Sequence, residues 1–144
     1  AVAANIYHGL DKEVIRIKKT STEILNNNGI EETLRSVWFK SYRKYYVVGS
    51  GTYEKVNLYD TIWKGDPLDI TSYFENRIRA NALNDIFIVG AFGEILHFNG
   101  YSWKSFIDRT YLSNGSYLSV GIKNNLIIAV GFQSAKAIIT IGKR

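Results

Sequence analysis

Cysteine is absent from the sequence, which excludes a disulfide framework and any thiolate metal site and leaves the redox compartment unreadable. Methionine is absent too, so the opening AVAANIYHG reads as a processed, truncated or engineered start. Proline occurs once, while aromatics make up 14% of the chain with ten tyrosines, a balance that favours strands over helices. No apolar run approaches the roughly 18 residues that span a bilayer, and no charged-then-apolar leader is visible, so a soluble product is expected. What remains is 144 residues at 46% hydrophobic and 22% charged, enough for one ordered domain with its own core.

The net charge of +5 and pI near 9.4 raise the question of nucleic acid, because clustered Lys and Arg displace counterions from phosphate. The basic residues fall at 12–19, 35–44, 77–79 and the C-terminus, interleaved with apolar residues and offset by Asp and Glu. A solvated basic surface is the reading this supports; nucleic acid is not expected as a partner.

The informative feature is repetition. KYYVVG at 44–49, DIFIVG at 85–90 and LIIAVG at 126–131 each end on glycine, and Gly49, Gly90 and Gly131 are spaced by 41 residues. Trp63 and Trp103 follow nearly the same beat, 40 apart. Each run is preceded by a turn-like pair and an earlier apolar segment, and followed by a polar turn and an alternating segment such as GEILHF. Each unit therefore holds four short strand candidates, A to D, joined by turns rich in Gly, Asn and Asp. Strand B is apolar on both faces, as a strand covered on both sides must be, while strand C alternates. A four-stranded antiparallel unit of about 40 residues, repeated radially, is a β-propeller blade. The expected fold is all-β, a propeller segment of about three and a half blades with period 41.

Within that frame 1–35 is a partial first blade and connection, 36–64 and 77–106 are blades, and 117–144 is a last blade without strand D. Residues 1–19 read as the end of strand B followed by C and D, with His8-Gly9 in the place of Asn99-Gly100. Ile30, Leu34, Val37 and Trp38 also fit a helical spacing, but the repeat assigns 36–42 to strand A and leaves room for a helical turn only before it. Trp63 and Trp103 are expected to pack between blades. A closed ring needs at least about four blades and commonly six to eight, so the rest of the ring is expected on further chain, with assembly of copies as the alternative.

The string IVGAFGEILHFNGYSW resembles the blades of bacterial BNR or Asp-box propellers, including those labelled glucosyl hydrolase or photosystem II assembly-factor-like. The Asp-box pattern S-x-D-x-G-x-T-W places its glycine on Gly100 and its tryptophan on Trp103, but Phe98 stands at the aspartate and Leu96 at the serine. The ending AIITIGKR also resembles the C-termini of such proteins. The resemblance implies an extracytoplasmic, periplasmic or secreted location.

Candidate chemistry is sparse. Asp66, Asp69, Glu94 and Asp108 are loop carboxylates of the kind a glycosidase pairs, and sequence alone cannot pair them. Gly49-Ser50-Gly51 lacks the third glycine of a dinucleotide loop and suits a tight turn or bulge. His8 and His97 have no cysteine or helical His partner and read as strand-end packing residues, so no metal and no cofactor is expected. Asn114-Gly115-Ser116, a formal sequon, reads as a turn. The loops entering strand A and joining B to C share one face of a propeller, and there the sequence places Tyr53, Tyr73, Arg77, Phe92, Arg109 and Tyr111. Aromatic planes beside guanidinium groups suit protein hot spots or sugars. The expected function is a noncatalytic interaction module binding a protein; a carbohydrate-binding propeller or a glycoside hydrolase-like enzyme completed by further blades is the alternative.

Overall fold

The computed structural model describes residues 13–66 and 70–143, the side chain of Asp66 excepted. A hairpin of β1 (Val14–Ile17) and β2 (Thr22–Leu25) forms the first sheet. The second holds β3 (Leu34–Lys40), β4 (Lys44–Gly49), β5 (Gly51–Lys55) and β6 (Lys64–Asp66). The third holds β7 (Glu75–Ala82), β8 (Asp85–Gly90), β9 (Ile95–Phe98) and β10 (Trp103–Ser105), followed by a single helical turn, α1 (Ile107–Thr110). The fourth, of three strands among the described residues, holds β11 (Gly115–Lys123), β12 (Leu126–Gln133) and β13 (Lys136–Lys143). Within each sheet, consecutive strands pair antiparallel.

The three apolar runs are β4, β8 and β12, one in each of three different sheets, and their alternation explains the stacking. Tyr45 and Val47 face the first sheet, packing with Val14, Leu25, Ile30, Leu34, Tyr53 and Trp63. Tyr46 and Val48 point the other way, onto Ile78, Ile86, Ile88 and Leu96 of the third sheet. Phe87 and Val89 then meet Tyr117, Val120, Ile127 and Ala129 of the fourth. β4 and β8 thus each feed two cores, and this is why they carry no polar face, whereas β12 feeds one core among the described residues and leaves Val130 and Phe132 partly exposed. Val48, Ile78, Ile86, Ile88 and Leu96 are each fully buried, and burial of such a side chain contributes roughly 1.5–3 kcal/mol. Sheets stacked face to face in chain order, with β7 touching β3 on one side and β11 on the other, form a partial β-propeller.

The repeating glycine has a steric cause. A Cβ at Gly49 would lie 1.9 Å from the Thr33 carbonyl oxygen, at Gly90 2.1 Å from that of Phe74, and at Gly131 1.9 Å from that of Ser116. The end of each second strand therefore abuts the backbone that enters the first strand, and only a residue without a side chain fits. Side chains also bridge neighbouring first strands: Ile78 N donates to Ser36 Oγ at 3.3 Å, and Asn76 Nδ2 donates to Ser116 Oγ and the Tyr117 carbonyl at 2.7 and 2.8 Å.

The strand expected over the helical spacing at 30–42 is present as β3, which begins at Leu34 and ends at Lys40, with Leu34 and Val37 packed on the first interface. One local reading changes. The opening of the chain is phased further on than the reading of 1–19 implies. The fourth strand begins 12 residues before the next first strand at Trp103 and Gly115, 11 at Lys64 and Glu75, and 12 at Thr22 and Leu34, so β1 and β2 occupy positions C and D. The pair His8-Gly9 lies outside the described residues.

Candidate binding face

At one end of the stack lie the connections into each first strand and the turns between second and third strands. In the third sheet the turn 91–94 rises between two such connections and is tied to both. Ala91 N donates to the Phe74 carbonyl at 2.8 Å, Phe92 N to that of Gly115 at 2.9 Å, and Leu112 N to that of Phe92 at 2.8 Å. Phe92 sits at the apex with φ of 55°, a left-handed conformation that a large side chain rarely adopts, and the three backbone bonds hold it there. Its ring is 43% exposed and lies 5.4 Å from that of Tyr73, tilted by 48°. Tyr111, next to Leu112 and 57% exposed, extends the same rim. Three of the six expected residues thus form an aromatic rim on short, hydrogen-bonded turns.

The other three are placed differently. Tyr53 is a core residue of β5: Gly49 pairs with Gly51 across Ser50, so the chain re-enters the sheet at once and Tyr53 falls opposite Val47, 1% exposed. Its ring also fills the space above Gly65, where a Cβ would lie 2.2 Å away. Arg77 is half-buried on β7, and among the described residues its Nε is buried without a hydrogen-bond partner. Arg79, two residues on, has its guanidinium held below its ordinary range by burial and by the neighbouring charge of Arg77, and donates from Nη1 to the Ile78 carbonyl at 2.7 Å. Arg109 stands apart from the rim on α1, largely exposed and 3.8 Å from Asp108.

Beneath the rim lie two buried acids that sequence reading passed over or placed in solvent. Glu75, at the start of β7, is 1% exposed and accepts from Thr52 Oγ1, whose oxygen stands 2.8 and 2.9 Å from its two carboxylate oxygens. Burial pushes its pKa up to about 8; the Thr52 hydrogen bond works against this and the nearby Glu94 adds to it. Glu94, buried at 2%, accepts from Thr71 Oγ1 and Ser105 Oγ, each at 2.7 Å, and so fastens the entering connection and β10 to the turn. Both acids serve the scaffold of the turns. A lone Glu before an alternating strand carries no sequence signal of burial.

The remaining candidates are quickly placed. His97 stacks on Phe87 at 4.2 Å and its Nε2 lies 3.1 Å from Asp85 Oδ1, within the sheet interface rather than on the rim. Asp108 is exposed beside Arg109. Asp69 and the side chain of Asp66 lie outside the described residues. The Asn114-Gly115-Ser116 stretch leads directly into β11.

No family model matches the chain. No curated protein matches it either. Among solved structures it is similar to YCF48 from Cyanidioschyzon merolae, with a TM-score of 0.67 at 10% identity, over 100% of this chain and 50% of that one. At that identity the likeness shows the fold alone. The chain spans half the length of that structure.

Proposed function

We propose that the chain is a noncatalytic interaction module whose rim, Tyr73, Phe92 and Tyr111, docks a protein partner. The observation that carries this reading is the exposed Phe92, held in a left-handed conformation at the apex of a turn fixed by three backbone hydrogen bonds. A rigid aromatic on a rigid turn loses little conformational entropy on binding, as protein hot spots do. The likeness to a propeller that is a chain twice as long supports an assembly role within a larger ring. Kinship with Asp-box propellers and an extracytoplasmic setting belong to the same proposal.

The test is site-specific photocrosslinking. A crosslinker at Phe92 should trap a defined partner, whereas one at Tyr101, 95% exposed on the turn at the opposite end of the sheet, should not. Phe92→Ser combined with Tyr111→Ser should abolish capture while the far-ultraviolet spectrum stays unchanged. Glycan-array binding through the same rim without a protein partner, or turnover of a sugar substrate, would displace this reading.

A further inference from the structure

The first strands stand side by side along one edge of the stack, and β7 is the one that lies between two others. It touches β3 on one side and β11 on the other, so the groups beside its side chains belong to described strands. Asn76 fixes the second of these contacts through its bonds to Ser116 Oγ and the Tyr117 carbonyl.

Two arginines share one face of β7. Arg77 pairs with Val89 and Arg79 with Phe87 across to β8, and residues directly opposite in a sheet stand on the same side. Phe87 and Val89 face the fourth sheet, so both arginines extend from the face that meets it. At the preceding interface the same two positions are Ser36, paired with Val48, and Trp38, paired with Tyr46. There the Ser36 hydroxyl accepts from Ile78 N, and the indole of Trp38 lies 6.1 Å from the Tyr46 ring. A neutral hydroxyl and an indole close one interface, and two guanidinium groups stand in their place at the next.

The charge on this pair is not offset locally. Neither Arg77 nor Arg79 makes an ion pair among the described residues. Arg77 Nε is buried with no hydrogen-bond partner there. Burial and the neighbouring charge of Arg77 both work against the charged form of Arg79, yet a guanidinium does not give up its proton. The three first strands together carry Arg35, Lys40, Arg77, Arg79 and Lys123 against a single carboxylate, Glu75. That carboxylate is engaged by Thr52, and burial keeps it protonated at neutral pH.

We propose that Arg77 and Arg79 form a binding site for a dianionic phosphate group, with the two guanidinium forks donating to its oxygens. Two fixed positive charges on one strand face match two negative charges on one ligand, and a fork donates two parallel bonds to a phosphate where a lysine offers a point charge. The buried Nε of Arg77 gains an acceptor, and the repulsion between the arginines is relieved. The site does not depend on the Tyr73, Phe92 and Tyr111 rim, and its test is independent of that reading.

Titration of inorganic phosphate with the 144-residue chain, followed by phosphorus NMR at an ionic strength held constant with chloride, should show saturable binding of one phosphate per chain. Arg77→Met and Arg79→Met keep the apolar stem and remove the charge, and each should weaken binding at least tenfold. Arg79→Lys, which keeps the charge and loses the fork, should bind with intermediate affinity, while Arg109→Gln and Phe92→Ser should leave binding unchanged. Phosphate should raise the melting temperature of the parent and not that of the Met variants. Methyl phosphate, titrated in parallel, separates the sources: tighter binding of the ester assigns a phosphorylated ligand, and tighter binding of inorganic phosphate assigns the free ion. Four results would each overturn the proposal: no saturable binding, indifference to either Met variant, succinate binding as tightly as phosphate, and a phosphate-induced rise in melting temperature that persists in the Met variants. Phosphate binding that disappears in a longer product of the same gene would place a carboxylate of the chain itself against the arginines and likewise overturn it.

Discussion

Glu75 makes the stability of this protein depend on pH in the direction opposite to most carboxylates. Its folded pKa of about 8 stands above the ordinary 4.5 because the side chain is buried, with the nearby Glu94 adding to the shift and hydrogen bonds from the Thr52 hydroxyl and the Gly49 backbone opposing it. Between those two values the native state retains a proton that the unfolded chain has released, so folding stability falls as pH rises. The slope is about 1.4 kcal/mol per pH unit, and over the whole window the loss is on the order of 5 kcal/mol. Glu75→Gln keeps the shape and an acceptor for Thr52 but cannot ionise. Urea unfolding followed by tryptophan fluorescence at pH 5, 6.5 and 8.5 should find the variant within about 1 kcal/mol of the parent at pH 5 and more stable by about 3 kcal/mol at pH 8.5. Taking the difference between variant and parent cancels the titration of the groups that do not interact with Glu75. A difference that stays constant with pH, or one that favours the parent as pH rises, would refute the buried, protonated state of Glu75.

Two further outcomes follow from packing. Gly90→Ala and Gly131→Ala should each cost at least about 2 kcal/mol in denaturant unfolding, because the added methyl meets backbone rather than a movable side chain, while Gly121→Ala, whose Cβ has no neighbour within 4 Å, should be close to neutral. Trp63→Ala should cost about 3–5 kcal/mol in the same assay, since it empties a buried site and uncovers Lys55, whose ammonium lies 4.6 Å above the indole; Trp63→Phe should recover part of that loss.

The period of 41 was legible because it has a hard steric origin: glycine at the end of each second strand has no substitute, and a strand sandwiched between two cores must be apolar throughout. The first hairpin was misphased because its turn, Lys18-Lys19-Thr20-Ser21, has neither Gly nor Asn, while the strongest turn signal nearby, Asn26 to Gly29, belongs to the connection after β2. Tyr53 and Phe92 show the limit at the binding face. The second sheet turns over Ser50 alone, the third over 90–94, and this difference in turn length sends one aromatic into the core and leaves the other at an apex. Arg109 illustrates a different limit. Two positions from Tyr111 in sequence, it sits on the helical turn α1 beside Asp108, a turn that the period-2 pattern of the repeat does not foreshadow.

Because each apolar cluster is shared by two adjacent sheets and no more, cohesion in this molecule is handed along from neighbour to neighbour. Amide exchange should therefore be slowest on β4 and β8, which pack on a core from each side. Damage at one interface would be felt next door and little further, where a protein built around one common centre would unravel as a whole.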